Sequence, residues 1–204
     1  MTDFDARART WDADPQKAIR ARIVADAIAQ RIPGLSRMKV LEYGSGTGLL
    51  GLALHGRVAA LTLADSSAEM TAVAREKIAA LAADDVSALL LDLTADAAYA
   101  GQHDVVCTLL TLHHVKDVPA LLRRFHELVR PGGYACVADL DAEDGSFHGE
   151  GFDGHNGFRR DVMSSWLSAA GFRDIEEQTA FEIDKETRTG VRRYPVFLAV
   201  GRRG

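Results

Sequence analysis

Short apolar runs recur along this chain, and each gives way to a helical pattern after an acidic residue or a glycine turn. The runs are Met38–Glu42, Val58–Ala64, Ala88–Leu91, Asp104–Leu110 and Tyr134–Leu140. Asp104–Leu110 is apolar almost without interruption, as a strand buried on both faces must be. Strands of that kind, alternating with helices, call for a largely parallel sheet covered on both sides. With 204 residues, the chain has room for one such domain.

Helix signals fall between the runs. Asp14-Pro15 reads as an N-cap followed by proline at the first helical position. Ile19, Ile23, Ala27 and Ile28 then form one face, and Pro33-Gly34 ends it. A short helix starts near Leu49. Ser66 with Glu69 reads as a capping box for a helix burying Met70, Ala74, Ile78 and Leu81. A helix over 118–129 buries Leu121, Leu122, Phe125, Leu128 and Val129, and stops at Arg130-Pro131-Gly132-Gly133. Another over 160–170 carries Val162, Met163, Trp166 and Leu167, with Gly171 as its cap. Two last strands, 174–181 and 196–202, read as an antiparallel end of the sheet. Between strand five and the last helix, residues 141–157 are glycine-rich and aperiodic. A loop that long in a compact domain is usually functional, so it is expected to be an active-site lid. Residues 1–34 form a leader and first helix on a single domain spanning 1–204.

Composition narrows the function classes. The net charge is −5, from 24 basic and 29 acidic residues, which argues against coating nucleic acid or an anionic membrane. The arginine pairs at 123–124, 159–160, 192–193 and 202–203 are scattered and read as solvated faces. Cys107 and Cys136 sit in apolar runs and read as buried thiols. No apolar run approaches the ~18 residues needed to span a bilayer, and the polar start MTDFDARARTWDADP lacks a signal-peptide core. A soluble, cytoplasmic monomer or homodimer is expected, with no metal.

Ligands of open α/β sheets bind beyond the carboxyl ends of the strands. There the chain places Glu42 before the turn Gly44-Ser45-Gly46-Thr47-Gly48, then Asp65 after strand two and Asp92 after strand three. Two readings compete. Gly46-Thr47-Gly48-Leu49-Leu50-Gly51 is a literal G-x-G-x-x-G, with Asp65 nineteen residues past Gly46, and would suit NAD(P) in an oxidoreductase. Against it, Glu42 is an anion where a pyrophosphate would lie, and the glycines begin two positions early. The other reading is a nucleoside ligand without a phosphate bridge. Asp65 would accept both ribose hydroxyls, Asp92 beside Leu93 an adenine amine, and Glu42 would face an ammonium group. S-adenosylmethionine has all of these groups.

The segments VLEYGSGTG (40–48), LTLADSS (61–67), LLLDL (89–93), HDVVCTLLTLHHV (103–115) and LVRPGGYACVADL (128–140), in this order, resemble the class I S-adenosylmethionine-dependent methyltransferases. The likeness is closest to the small-molecule branch that includes the quinone-biosynthesis C-methyltransferases, and it covers nearly the whole chain. It implies a Rossmann-like seven-stranded, mostly parallel sheet in the order 3-2-1-4-5-7-6, strand seven antiparallel. The residues matching the family's cofactor contacts are Glu42, Gly44, Ser45, Gly46, Asp65, Ser66, Met70, Asp92, Leu93 and Thr108. The leader FDARARTWDADP looks like that of bacterial members, where it helps close the cofactor site; Trp11 would staple the first helix or cover the cofactor.

Methyl transfer from a sulfonium needs positioning and exclusion of water, and a base only where the acceptor is protonated. The acceptor-side candidates are His113 (with His114) after strand four, and His148 and His155 in the glycine-rich stretch. Asp139 and Asp141 end strand five. The expected acceptor is a small molecule; a cofactor-binding protein without catalysis is the remaining alternative.

Overall fold

The computed structural model describes residues 4–187 and 190–204; the first three residues of the leader lie outside the described residues. Its sheet has seven strands: β1 (Lys39–Tyr43), β2 (Ala60–Asp65), β3 (Val86–Leu90), β4 (His103–Leu109), β5 (Val129–Leu140), β6 (Phe172–Thr187) and β7 (Gly190–Arg203). The spatial order is β3-β2-β1-β4-β5-β7-β6. All pairings through β4–β5 are parallel, and β7 runs antiparallel to both β5 and β6. Among the described residues the α-helices are α1 (Phe4–Arg7), α2 (Pro15–Arg31), α3 (Leu49–Leu54), α4 (Ala68–Leu81), α5 (Val118–Leu128) and α6 (Arg160–Ala170).

The strands divide the core by their pleat. Val40, Val105 and Cys107 face the layer that holds α2 and α3, whereas Leu41, Val106 and Val137 face α5 and α6. Parallel strands covered on both sides need apolar residues at every position, which is why these runs do not alternate. Cys107 and Cys136 are register neighbours on β4 and β5, both buried as free thiols. On the second face α5 places Leu121, Leu122, Phe125 and Leu128 in the interior, and Phe125 meets Tyr43 edge to face at 5.7 Å.

Several local expectations are corrected. Asp14 does cap α2, accepting from the Gln16 N–H at 2.9 Å. The buried stripe, however, is Ala21, Val24, Ala25, Ala27 and Ile28, while Ile19 and Ile23 are 49% and 37% exposed. Small residues let the helix lie close to α3, and that rotation turns the isoleucines outward. The cap of α4 is Ser67, whose hydroxyl accepts from Met70 N at 3.1 Å, and not Ser66. Strand β2 runs on through Asp65, whose carboxylate takes the Ser67 N–H and shifts the helix start by one residue. Leu81 is 54% exposed because α4 outruns the sheet it covers. Val162 and Trp166 are only half-buried, leaving Met163 and Leu167 to anchor α6.

Three strand boundaries also differ. The Pro131-Gly132-Gly133 segment lies inside β5, at a shift in register with β4 between His103 and Val105. The last two strands extend well past 181 and 196, as a hairpin in which Ile183 pairs with Tyr194 and Lys185 with Arg192. Its outer half lies beyond the ladder with β5, which ends at Val196.

Phe125→Ala should lower unfolding free energy by about 3–5 kcal/mol, the usual cost of an emptied aromatic site in a closed core. Urea denaturation would measure it, and a loss under ~1 kcal/mol would show that α5 is not anchored as described.

Candidate functional site

A cavity of about 1140 Å³ opens at the carboxyl ends of β1 to β4. Its walls include Glu42, Gly44, Ser45, Gly46, Asp65, Ser66, Met70, Asp92 and Leu93, together with His113 and His148. Eleven of the thirteen residues singled out from the sequence thus meet at one place. Thr108 and His155 stand outside the wall. Thr108 shares the face of Val106 on β4 and is buried toward α5, its hydroxyl without a partner. His155 pins the 141–157 loop to the turn after β4: its N–H donates to the His113 carbonyl at 2.8 Å, and its Nε2 lies 2.9 Å from the Val115 carbonyl.

The bend after β1 is held by carboxylates. Gly44, Gly46 and Gly48 adopt φ of +67°, +54° and +85°, a region that L side chains rarely occupy. A Cβ at Gly44 would also collide with the Thr111 side chain, whose hydroxyl donates to the Gly44 carbonyl at 3.2 Å. Asp65 accepts the Gly46 N–H at 2.7 Å on one oxygen and the Ser67 N–H at 2.8 Å on the other. Glu42 accepts the Gly51 N–H at 2.7 Å, and a Cβ on Gly51 would stand 2.7 Å from that same oxygen. Glycine at 51 is therefore what lets the carboxylate reach the α3 backbone.

Burial sets the electrostatics. Glu42 is 3% exposed, and desolvation pushes its carboxyl up to about 8, with the Gly51 hydrogen bond opposing and the nearby Asp65 adding to the rise. Asp65 is also raised, again mainly by burial. Asp92 accepts from the Thr94 N–H at 2.9 Å, from the Thr94 hydroxyl at 2.6 Å and from the Tyr43 hydroxyl at 3.3 Å. The strand ends thus present three carboxyl groups, two of them short of positive charge.

The leader forms another wall. Phe4, Arg7 and Trp11 line the cavity. Asp5 accepts from the Ser67 hydroxyl at 2.5 Å, and Asp12 accepts from the Thr47 hydroxyl at 2.6 Å and pairs with Lys77. The Lys17 ammonium sits 3.5 Å from the Trp11 ring centroid. Trp11 lies beside Gly46, so it covers the bend as well as fastening α2.

Opposite the bend, histidines gather. The His113 ring lies 4.1 Å from His114 and 5.0 Å from His148. Phe152 stacks on His148 at 3.8 Å, and Phe4 meets His114 edge to face. Burial holds His114 and His148 down to about 4, and neighbouring histidines add to the shift. Asp139, fully buried at the end of β5, faces His113 Nδ1 at 2.6 Å and also accepts the His113 and Leu140 N–H groups. The pairing of Asp139 with His113 escaped sequence reasoning, since 26 residues separate them. Only the adjacency of β4 and β5 could have suggested it. Asp141 is committed elsewhere, in a two-pronged pair with Arg160 at 2.6 and 2.7 Å. The loop is strapped to the hairpin: the Ser146 hydroxyl lies 2.7 Å from Tyr194 Oη, Arg192 pairs with Asp144 at 2.5 Å, and Lys185 reaches the Phe147 carbonyl.

A sheet of this order with a carboxylate-braced glycine bend defines the class I methyltransferase arrangement. The methyltransferase-domain family matches residues 16–178, and the chain belongs to it. Among curated relatives, it is 34% identical over 145 residues to the biotin biosynthesis bifunctional protein BioCD of Bordetella avium, covering 69% of this chain and 30% of that protein. It is 37% identical over 151 residues to the ubiquinone biosynthesis O-methyltransferase of Escherichia coli, covering 69% and 60%. The chain thus spans less than two-thirds of the length of these relatives. Among solved structures, the YcgJ protein of Bacillus subtilis superposes with a TM-score of 0.71 at 14% identity, over 88% of this chain and 97% of that one. TehB of Haemophilus influenzae gives 0.68 at 20% identity, over 89% and 61%. These two establish likeness of fold.

The raised Glu42 pKa makes a stability prediction. Between the ordinary value of 4.5 and about 8, the folded chain keeps a proton that the unfolded chain releases, so stability falls as pH rises through that window and levels off above it. Melting temperatures from about pH 5 to about pH 9 should fall more for the wild type than for Glu42→Gln. Parallel curves would show that Glu42 is not buried in the manner described.

Proposed function

We propose that the cavity binds S-adenosylmethionine and that the chain transfers its methyl group to a small molecule. The observation that carries this reading is the convergence of Glu42, Asp65 and Asp92 from three adjacent strand ends on one glycine bend. When bound, the cofactor supplies a methyl group already activated on a sulfonium.

The residues fit that group by their chemistry. Glu42 accepts the Gly51 N–H, and burial out of water raises its pKa; an ammonium or sulfonium nearby would return its charge at little cost. Each Asp65 oxygen accepts one N–H and keeps a lone pair for a ribose hydroxyl. Asp92 and the Leu93 backbone would take the adenine amine, with Met70 and Trp11 against its faces. Ser45 and Ser66 flank the sugar, and Gly44 and Gly46 leave room for close approach. The acceptor would enter between the leader and the 141–157 loop, under His148, with these walls shutting out water.

The dinucleotide reading fares worse. Gly46 and Gly51 would each have to offer an N–H to a pyrophosphate, but their N–H groups are engaged by Asp65 and Glu42. Two carboxyl groups would face the phosphates, a repulsive arrangement.

S-adenosylhomocysteine at 100-fold above its Kd should stabilise the protein by about 2.7 kcal/mol, visible as a rise in melting temperature, and NAD should not. Asp65→Ala should remove the rise. Stabilisation by NAD alone, or binding untouched by Asp65→Ala, would overturn the assignment.

A further inference from the structure

The buried pair of His113 and Asp139 has a polarity that the cofactor site does not use. A carboxylate oxygen accepts, so the proton on the His113 ring resides at Nδ1, 2.6 Å from Asp139 Oδ1. Asp139 is itself fixed by two backbone N–H groups, from His113 and Leu140. Nε2 is left with a lone pair. Among the described residues it has no hydrogen-bond partner, and the ring lines the cavity. The ring is 2% exposed and cannot swing away, since His114, His148 and Phe152 pack around it.

We infer that His113 is the general base of the reaction, with Asp139 as the residue that positions it, and that the acceptor attacks through a hydroxyl on a planar ring. The proposal rests on the methyltransferase reading and adds the acceptor chemistry to it. The acceptor O–H bond breaks and its proton passes to Nε2. The electron pair left on oxygen forms the bond to the methyl carbon, while the carbon–sulfur pair departs with sulfur as a neutral thioether. The imidazolium then returns its proton to water. An acceptor without a proton, such as a thioether or tertiary amine, would need no such base. Phe4, Phe147, His114 and His148 line the cavity beside the base, with Phe152 stacked behind His148, and this mostly aromatic wall suits a flat ring. The titratable and charged groups facing His113 are Asp139 from β5, His114 from its own turn and His148 from the loop, with Lys185 of β6 behind His148. The two neighbouring histidines are neutral at pH 7 and so do not compete as cations with the imidazolium that forms.

The test uses the full chain with S-adenosylhomocysteine and 4-nitrophenol, whose ionisation is read in the visible band without turnover. Bound to the wild type, the probe should ionise at a pH at least about one unit below its free value, a tenfold shift in the equilibrium. His113→Asn should abolish that shift. Asp139→Asn should reduce it, while S-adenosylhomocysteine still raises the melting temperature of both variants. Nitrogen NMR of the wild type should show His113 protonated at Nδ1, a readout independent of how the variants fold. An Nε2-protonated ring, a probe that does not bind, or a shift unchanged in His113→Asn would overturn the proposal while leaving cofactor binding standing. Failure of S-adenosylhomocysteine to stabilise the wild type would overturn the methyltransferase reading and this proposal with it.

Discussion

Two hydrogen bonds, from Gly46 N–H to Asp65 and from Gly51 N–H to Glu42, organise this molecule at its working end. Each joins the bend after β1, or the helix that follows it, to an acid at a strand end. The Glu42 bond satisfies a first-turn donor of the short helix α3, whose N-cap Gly48 has no side chain to offer, and the Asp65 bond satisfies a donor of the bend itself. They also hold negative charge, or the capacity for it, in a pocket with little solvent. Unpaired buried carboxyl groups are costly, and a folded chain retains such a cost where a ligand or a reaction relieves it. A cation in the cavity relieves it here, whereas a phosphate deepens it. The same two bonds therefore shape the bend and hold its acids in place.

The fold was legible because a parallel sheet demands continuous apolar runs, and this chain has them wherever β1, β2, β4 and the later part of β5 lie. The acids were legible for a related reason: Glu42, Asp65 and Asp92 each interrupt or follow an apolar run at the carboxyl end of its strand, where an open sheet binds its ligands. What escaped was set by tertiary packing. Ile19 and Ile23 outrank the alanines of α2 in hydrophobicity, yet Ala21 and Ala25 are inside, on the face that packs toward α3, and the two isoleucines are not. Serines 66 and 67 are equivalent as cap candidates until Asp65 takes one N–H and decides between them. The outer hairpin was hidden by its composition. Its residues are largely charged, with Ile183 and Tyr194 the buried anchors, so hydrophobic alternation carries little signal there.

The pairing of His113 with Asp139 is a consequence of register. Leu109 on β4 faces Ala138 on β5, so the turn leaving one strand and the end of the other arrive side by side. A histidine just past the first and an aspartate at the end of the second must then meet, although neither position looks unusual alone. Asp141, two residues further on, points its carboxylate at Arg160 instead. The difference between a buried acid aimed at a histidine and a structural ion pair thus comes from two residues of displacement along one strand.

The cavity is closed by its most weakly held elements. Arg9 reaches Glu76 at 2.7 Å, with both side chains more than half exposed, and exposed pairs of this kind contribute about 0–1 kcal/mol each. The leader docks through this pair, through the Asp5–Ser67 and Asp12–Thr47 hydrogen bonds and through Phe4 and Trp11, while the 141–157 loop is strapped to a hairpin arm that itself stands beyond the β5 ladder. Strands β1, β4 and β5, which carry the glycine bend, the turn of His113 and Asp139, are buried over 40–43, 105–108 and 135–140. Local opening draws on the elements with the fewest buried contacts, so a parting of these walls would leave undisturbed the groups that the strands hold in place. Phe4 touches His114 while Asp5 binds the Ser67 cap of α4, beside the Asp65 end of the bend. One short segment therefore contacts both the acid-lined and the histidine-lined halves of the cavity. It thereby makes them two halves of a single cavity.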